Sequence, residues 1–224
     1  MLKSKKHVFW EALLLTIVVF ALGLLMGVAF EGRRVDKIND YYAISEISMM
    51  DVLALNDLMS LENTNTNCST IIDSNLLFAD RIYEEARQLE RYDTAGKITE
   101  NIKLAHKKYD LMRTFLWINS MRTFNTCKDQ ADFNVVVYLY EYETEDLAKK
   151  ATQNVWSRTL FDLKQEFGEK IVLIPIAADS NLASLDSLLM QYEIEQYPVV
   201  IINNKFVLNE LTSVDEMEKY LDLD

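Results

Sequence analysis

Two cysteines, two histidines and one acid-rich stretch are the residues of this chain whose chemistry stands out. Cys68 and Cys127 are far apart in sequence, and His7 and His106 are far from both. That scatter has none of the short spacings by which Cys and His build zinc sites. No hydrolase triad or phosphate-cradling glycine loop is visible either. The chain therefore reads as a non-enzyme with no metal and no other cofactor. Glu141, Glu143, Glu145 and Asp146 form the acidic stretch. They suit a basic partner or a cation, or simply a solvated helix start.

Composition narrows the partners. The 224 residues allow one or two domains, and half of them are hydrophobic, enough for a core. Five Gly and two Pro argue for long helices and against disorder. Beyond residue 30 there are 34 acids against 20 Lys and Arg, a net charge of −14. Such a surface repels phosphate backbones, which excludes nucleic acid as an expected partner.

The elements that position these residues begin in the bilayer. After a tail at residues 1–7, the segment 8–30 is apolar apart from Glu11 and Thr16. As a helix it is roughly 35 Å long, enough for a hydrocarbon core of about 30 Å. Glu11 lies one turn from Lys6 and His7, within reach of the headgroups. A cleaved signal peptide ending near Gly27-Val28-Ala29 is the alternative, although the apolar run is long for one. Gly23 and Gly27 form a GxxxG pair, a surface through which two copies can pack as a homodimer. Lys3, Lys5 and Lys6 balance Arg33, Arg34 and Lys37 across the span. The free amino terminus and the acids at Glu31, Asp36 and Asp40 tip the reading towards a cytoplasmic N-terminus.

Residues 31–127 read as a helical stalk, with helices over about 33–61, 69–92 and 97–123. In the first, Val35, Ile38, Tyr42, Met49, Val52 and Met59 form a stripe widened by Ile44, Ile47, Leu55 and Leu58. The polar run 62–67 ends it. The second helix carries Ile72, Leu76, Ala79, Tyr83, Ala86 and Leu89 on one face. The third alternates spacings of four and three through Ile98, Ile102, Ala105, Tyr109, Met112 and Leu116, the seam of an antiparallel pair. Trp117 reads as core and His106 as a solvated or capping residue. A hairpin turning at 94–96 brings its two open ends together, so Cys68 and Cys127 become neighbours and form a disulfide. That pairing favours an extracytoplasmic location, and two free thiols in the cytoplasm are the alternative. The sequon Asn67-Cys68-Ser69 carries little weight, because a disulfide at its middle position hinders glycosylation.

Residues 133–224 alternate strands and helices. Phe133–Tyr140 is apolar on both faces and reads as a central strand. Thr144 is the expected cap of the helix that runs to Gly168. A strand over 171–178 follows, then a helix capped by Ser180. Tyr197-Pro198 opens a β-branched strand, a hairpin partner follows Asn203-Asn204, and a last helix starts at the capping box Ser213-x-x-Glu216. Pro175 marks its strand as an edge.

This order, βαβ then α then ββα with a proline opening the third strand, resembles the thioredoxin-like superfamily. The resemblance implies a four-stranded mixed sheet in the order 2-1-3-4, flanked by helices, with a cis-proline at Pro198. The fold class expected for the whole chain is α+β: a single transmembrane helix, an antiparallel helical stalk, then this thioredoxin-like domain. Family oxidoreductases open the first helix of the fold with Cys-x-x-Cys. Here the corresponding stretch has Glu143 and Asp146 and no cysteine. Carboxylates there also disfavour a thiolate. Cys68 and Cys127 lie outside the domain and are spaced as a staple. What the resemblance leaves is a peptide groove beside Tyr197 and Pro198, with Tyr140 and Tyr142 near it. Strand pairing beside aromatic residues suits peptide recognition. The expected function is a membrane-tethered, redox-inactive adaptor or chaperone-like scaffold that binds a polypeptide or partner subunit outside the membrane. The alternative is an accessory subunit of a membrane enzyme complex, of the thiol-disulfide or oligosaccharyltransferase type.

Overall fold

A computed structural model describes residues 4–60, 68–93, 100–127 and 130–223. The polar run at 62–67 with its sequon asparagine, the hairpin turn at 94–96 and Lys3 lie outside the described residues, as do the side chains of Lys5, Lys6, Arg33, Arg34 and Lys37. The chain divides into two units, Met1–Ile44 and Ser45–Asp224.

Helix α1 (Ser4–Ser60) begins in the first unit. Within it His7–Phe30 is long and apolar enough to cross a membrane, with a mean hydropathy of 2.8 over its most apolar window and every residue exposed. Thr16 donates its hydroxyl to the Ala12 carbonyl at 2.9 Å, which hides the one neutral polar side chain of the run. His7 Nδ1 lies 2.8 Å from Glu11 Oε1, so the acid is answered one turn back. Gly23 and Gly27 face open space.

In the second unit the last turns of α1 pack through Ser45, Ser48 and Val52. The apolar stripe predicts Ile47 inside, but Ile47 is exposed and Ser48 is buried. Arg81 is the reason: its guanidinium donates to the Ser48 hydroxyl. Helix α2 (Cys68–Asp93) packs against α3 (Glu100–Thr126). On α2 the buried face is Ile71, Ile72, Asn75, Phe78 and Ile82. This corrects the expected seam, because Leu76, Ala79 and Tyr83 are only half-buried. The turn of the helix follows from Asn75. It donates to the Thr123 hydroxyl at 2.8 Å and accepts from Asn119, which fixes that side of α2 against α3. On α3 the expected Ala105, Tyr109, Met112 and Leu116 are buried, and so are Asp110, Arg113, Trp117, Asn119 and Thr123. A helix buried on several sides touches more than one neighbour, and α3 also contacts the sheet and α5 (Ala183–Gln191).

The sheet has four strands in the order β2-β1-β3-β4. They are β1 (Asn134–Tyr140), β2 (Ile171–Ala177), β3 (Val199–Ile202) and β4 (Phe206–Leu208). β1 and β2 are parallel, and the other pairs are antiparallel. The chain is thus α+β with one long apolar N-terminal helix and a four-stranded mixed sheet. On one face Val136, Tyr138, Val200 and Ile202 pack with Trp156, Leu160 and Leu163 of α4 (Leu147–Phe167) and Met217 of α6 (Val214–Met217). The intervening Val135, Val137 and Leu139 are also fully buried, as a strand covered on both faces requires. Pro175 sits on the edge strand, where a missing amide breaks no ladder.

Loop chemistry accounts for several joints. Asn203 and Asn204 take φ of 50° and 57°, the left-handed pair a two-residue hairpin needs and asparagine tolerates. Their side chains reach outward: Asn203 accepts from the Val135 amide at 2.9 Å, and Asn204 accepts from the Trp117 indole at 2.7 Å. Gly168, at φ 54°, closes α4. The cap of α4 is Asp146 and not Thr144: its carboxylate accepts from the amides of Ala148 and Lys149, while Thr144 accepts from Asp146. α5 starts at Ala183 after Leu182, without a side-chain cap, and the Ser180 hydroxyl is buried without a partner, so Ser180 does not cap it. The capping box at Ser213 and Glu216 is present. The Tyr197–Pro198 peptide bond is cis.

Cys68 and Cys127 stand at disulfide distance, with sulfurs 2.10 Å apart, between the start of α2 and the end of α3. Closing a loop of 59 residues stabilises the fold by about 4 kcal/mol through the chain entropy removed from the unfolded state. Mass spectrometry of the unreduced protein should show the two cysteine peptides linked. Replacing both cysteines with serine should cost up to that amount in urea unfolding. Unlinked peptides, or a double variant as stable as the parent, would remove the staple.

Candidate functional site

The end of β1 is where the resemblance places reactive thiols, and here that loop is tied into the structure at each step. The Gln153 side chain accepts from the Glu141 amide at 3.1 Å and donates to the Glu141 carbonyl at 3.0 Å. It acts as a short piece of neighbouring strand. The Asp179 carboxylate accepts from the amides of Tyr142 and Glu143 at 3.0 and 2.9 Å. Lys149 pairs with Glu141 at 2.8 Å, and Lys103 with Glu143 at 2.6 Å. Asp146 caps α4. The acidic stretch thus consists largely of caps and ion pairs. Among the described residues no three of His, Cys, Asp and Glu converge as metal ligands.

Beside this loop opens a cleft of about 630 Å³, the size of a small-ligand or side-chain pocket. Its walls come from α2, α3, α4 and the edge strand β2. Tyr138 and Tyr140, two apart on β1, project on one face and stack with ring centres 5.5 Å apart. Tyr142 continues the aromatic surface and packs its ring 4.5 Å from His106. Phe161 forms an exposed lip on α4 and Tyr83 a half-buried one on α2. The Tyr138 hydroxyl is spent inside, donating to the Gln153 carbonyl at 3.0 Å, and burial pushes its ionisation up.

The floor is ionic. Asp110 is 3% exposed and Arg113 9%, one turn apart on α3. Arg113 Nη1 lies 3.6 Å from Asp110 Oδ1, and the same oxygen accepts from the Ala177 amide at 3.1 Å. Burial pushes Asp110 up to about 6, against the opposing pull of Arg113. Burial likewise pushes Tyr140 up to about 12, while Arg113 lies within hydrogen-bonding reach of its hydroxyl. The Arg113 Nε–H is buried without a partner.

Of the four residues expected to line one groove, three are divided between two hollows and Pro198 lines neither. Tyr140 and Tyr142 line the cleft. Tyr197 lines a second hollow of about 650 Å³ against α5, among Asp186, Glu193 and Glu195. Its phenol is held above the ordinary value by partial burial and then by the charge of Glu141. Pro198 is half-buried, and the pairing of Leu139 with Val199 puts it level with Tyr140 on the sheet. Asp110, Arg113, Gln153 and Asp179 are the residues that spacing alone does not single out. A hint lay in Asp110 and Arg113, charged positions interrupting the apolar run of α3, but their partners are distant in sequence.

Compared with protein-family models, curated proteins and solved structures, the chain matches none.

Asp110 gives the cleft a pH signature. Its unfolded value is near 3.8 and its folded value near 6, so the folded state binds more protons between them. Stability attributable to this group therefore falls as pH rises through that window. Asp110→Asn should gain on the parent by on the order of 2–3 kcal/mol between about pH 4 and pH 7, measured by urea midpoints. A difference that does not move with pH would place the titration elsewhere.

Proposed function

We propose that this chain is a membrane-tethered, redox-inactive thioredoxin-like adaptor that holds a polypeptide segment outside the membrane. The observation that carries the reading is the aromatic cleft beside the β1–α4 loop. It opens beside the loop where the resemblance places reactive thiols, and that loop is built from backbone ties and no sulfur. Three further features favour it. The strand order is the one that the resemblance implies, and a cis-proline opens β3. The only cysteines lie at disulfide distance away from the loop. The helix His7–Phe30 is long and apolar enough to serve as the tether. Tyrosines suit such a surface because they bring large contact area at low conformational cost.

Photocrosslinking in the native membrane tests the reading. With p-benzoylphenylalanine at Phe161 or Tyr142, adducts with polypeptides should form. With the same group at Val207, on β4 and away from the cleft, they should be absent. Many substoichiometric adducts after gentle-detergent purification support the adaptor. One stoichiometric membrane partner would instead identify an accessory subunit of an enzyme complex. Repeated absence of any adduct at Phe161 and Tyr142 would remove the cleft from the function.

A further inference from the structure

Resting on that reading, we propose that the cleft takes the free carboxy terminus of a polypeptide, anchored on Arg113, with basic residues a few positions upstream. Arg113 is nine-tenths buried, lines the cleft and holds an Nε–H that no group answers. A guanidinium with one unused donor can give a carboxylate oxygen one charge-assisted hydrogen bond. Around it Tyr83, Tyr109, Tyr140 and Phe161 supply the apolar surface that a last aromatic or aliphatic residue needs.

The length of the site favours a chain over a compact molecule. A second hollow of about 250 Å³ shares Ala79, Tyr83 and Leu173 with the cleft, so the two form one trough along β2. β2 is an edge strand, and most of its outward groups are occupied. The Ile171 amide donates to Gly168 and its carbonyl accepts from Lys164. Pro175 has no amide, and the Ala177 amide is held by Asp110. Alternation turns the Leu173 peptide group outward as well, and among the described residues it is open to the trough. An extended occupant can add to the edge there. From Ile171 to Ala177 the strand rises about 20 Å, the span of about six extended residues.

Charge sets the direction. The Arg113 end offers the cation for a terminal carboxylate. The far hollow is lined by Asp73, Asp80 and Glu169. Among the described residues its one cation, Lys164, is turned onto the carbonyls of Gly168 and Ile171 at 2.9 and 2.6 Å. Basic side chains three to five residues before the terminus fit that end.

The test uses the full chain in detergent micelles and fluorescence anisotropy with the labelled hexapeptide Lys-Lys-Ser-Thr-Val-Phe. The free acid should bind at least about tenfold more tightly than its carboxamide, the loss expected of one charge-assisted contact. Arg113→Met should bind acid and amide equally. Asp73→Asn with Asp80→Asn, two exposed positions that leave the core intact, should lose the preference for Lys-Lys over Glu-Glu while keeping the preference for the acid. Equal binding of acid and amide by the parent chain would overturn the carboxylate anchor and leave the adaptor reading standing. Absence of all peptide binding while Phe161 still crosslinks polypeptides would also defeat this inference alone. Phenylacetate binding as tightly as the hexapeptide would make a small acid the occupant and overturn the chain terminus.

Discussion

A strand at the edge of a sheet can be buried only if its outward amides and carbonyls are answered. β2 is such a strand, and its mostly buried residues leave little for water to answer beyond the Leu173 peptide group. The chain answers from three directions: a carboxylate on α3 takes the Ala177 amide, an ammonium on α4 takes the Ile171 carbonyl, and a proline removes the amide at 175. Asp110 makes its part possible only at a cost, because burial pushes its carboxyl towards neutrality while Arg113 pulls it back. An unpaired carboxylate in that place would unfold the edge. The ionic floor of the cleft is thus first a solution to an edge problem, and the free donor of Arg113 is what remains after it.

The same economy shapes the loop above. Glu141 to Asp146 meets helix α4 at the end of a buried strand, where exposed amides again need partners. Gln153 and Asp179 fill that role from two different elements, drawing the β1–α4 and β2–α5 connections together at one end of the sheet. A loop held this way is poorly suited to a nucleophile that must approach a substrate and leave again. It is well suited to presenting a fixed aromatic surface, because Tyr140 and Tyr142 sit on either side of the anchored Glu141.

Periodicity made most of this architecture legible, and it failed where polar side chains decide. The apolar runs of β1 and β3, the edge proline and the asparagine hairpin follow from patterns short enough to read along the chain, while the strand order was only what the resemblance implies. The helix caps did not. Thr144 and Asp146 are both competent caps, and only the position of the backbone selects the second. On α2 the apolar stripe through Leu76, Ala79 and Tyr83 promised a helix seam. Asn75, which no hydrophobic count favours, rotated the helix by bonding Thr123 and Asn119, and left that stripe lining the trough. The cleft was therefore half visible: its tyrosines at 140 and 142 stood out, while Asp110, Arg113, Gln153 and Asp179 depend on contacts between residues 12 to 67 positions apart.

The place of the cysteines follows from that rotation. α2 is the outer wall of the trough, and its partner is α3. Phe78 packs on Phe115, and the Asn75 bonds lie one turn earlier, so the middle of the wall is fixed by side chains. The start of α2 buries Ile71 and Ile72, and there Cys68 meets Cys127. A covalent tie there holds the start of this wall to the end of α3, so the wall is fixed at its end as well as at its middle.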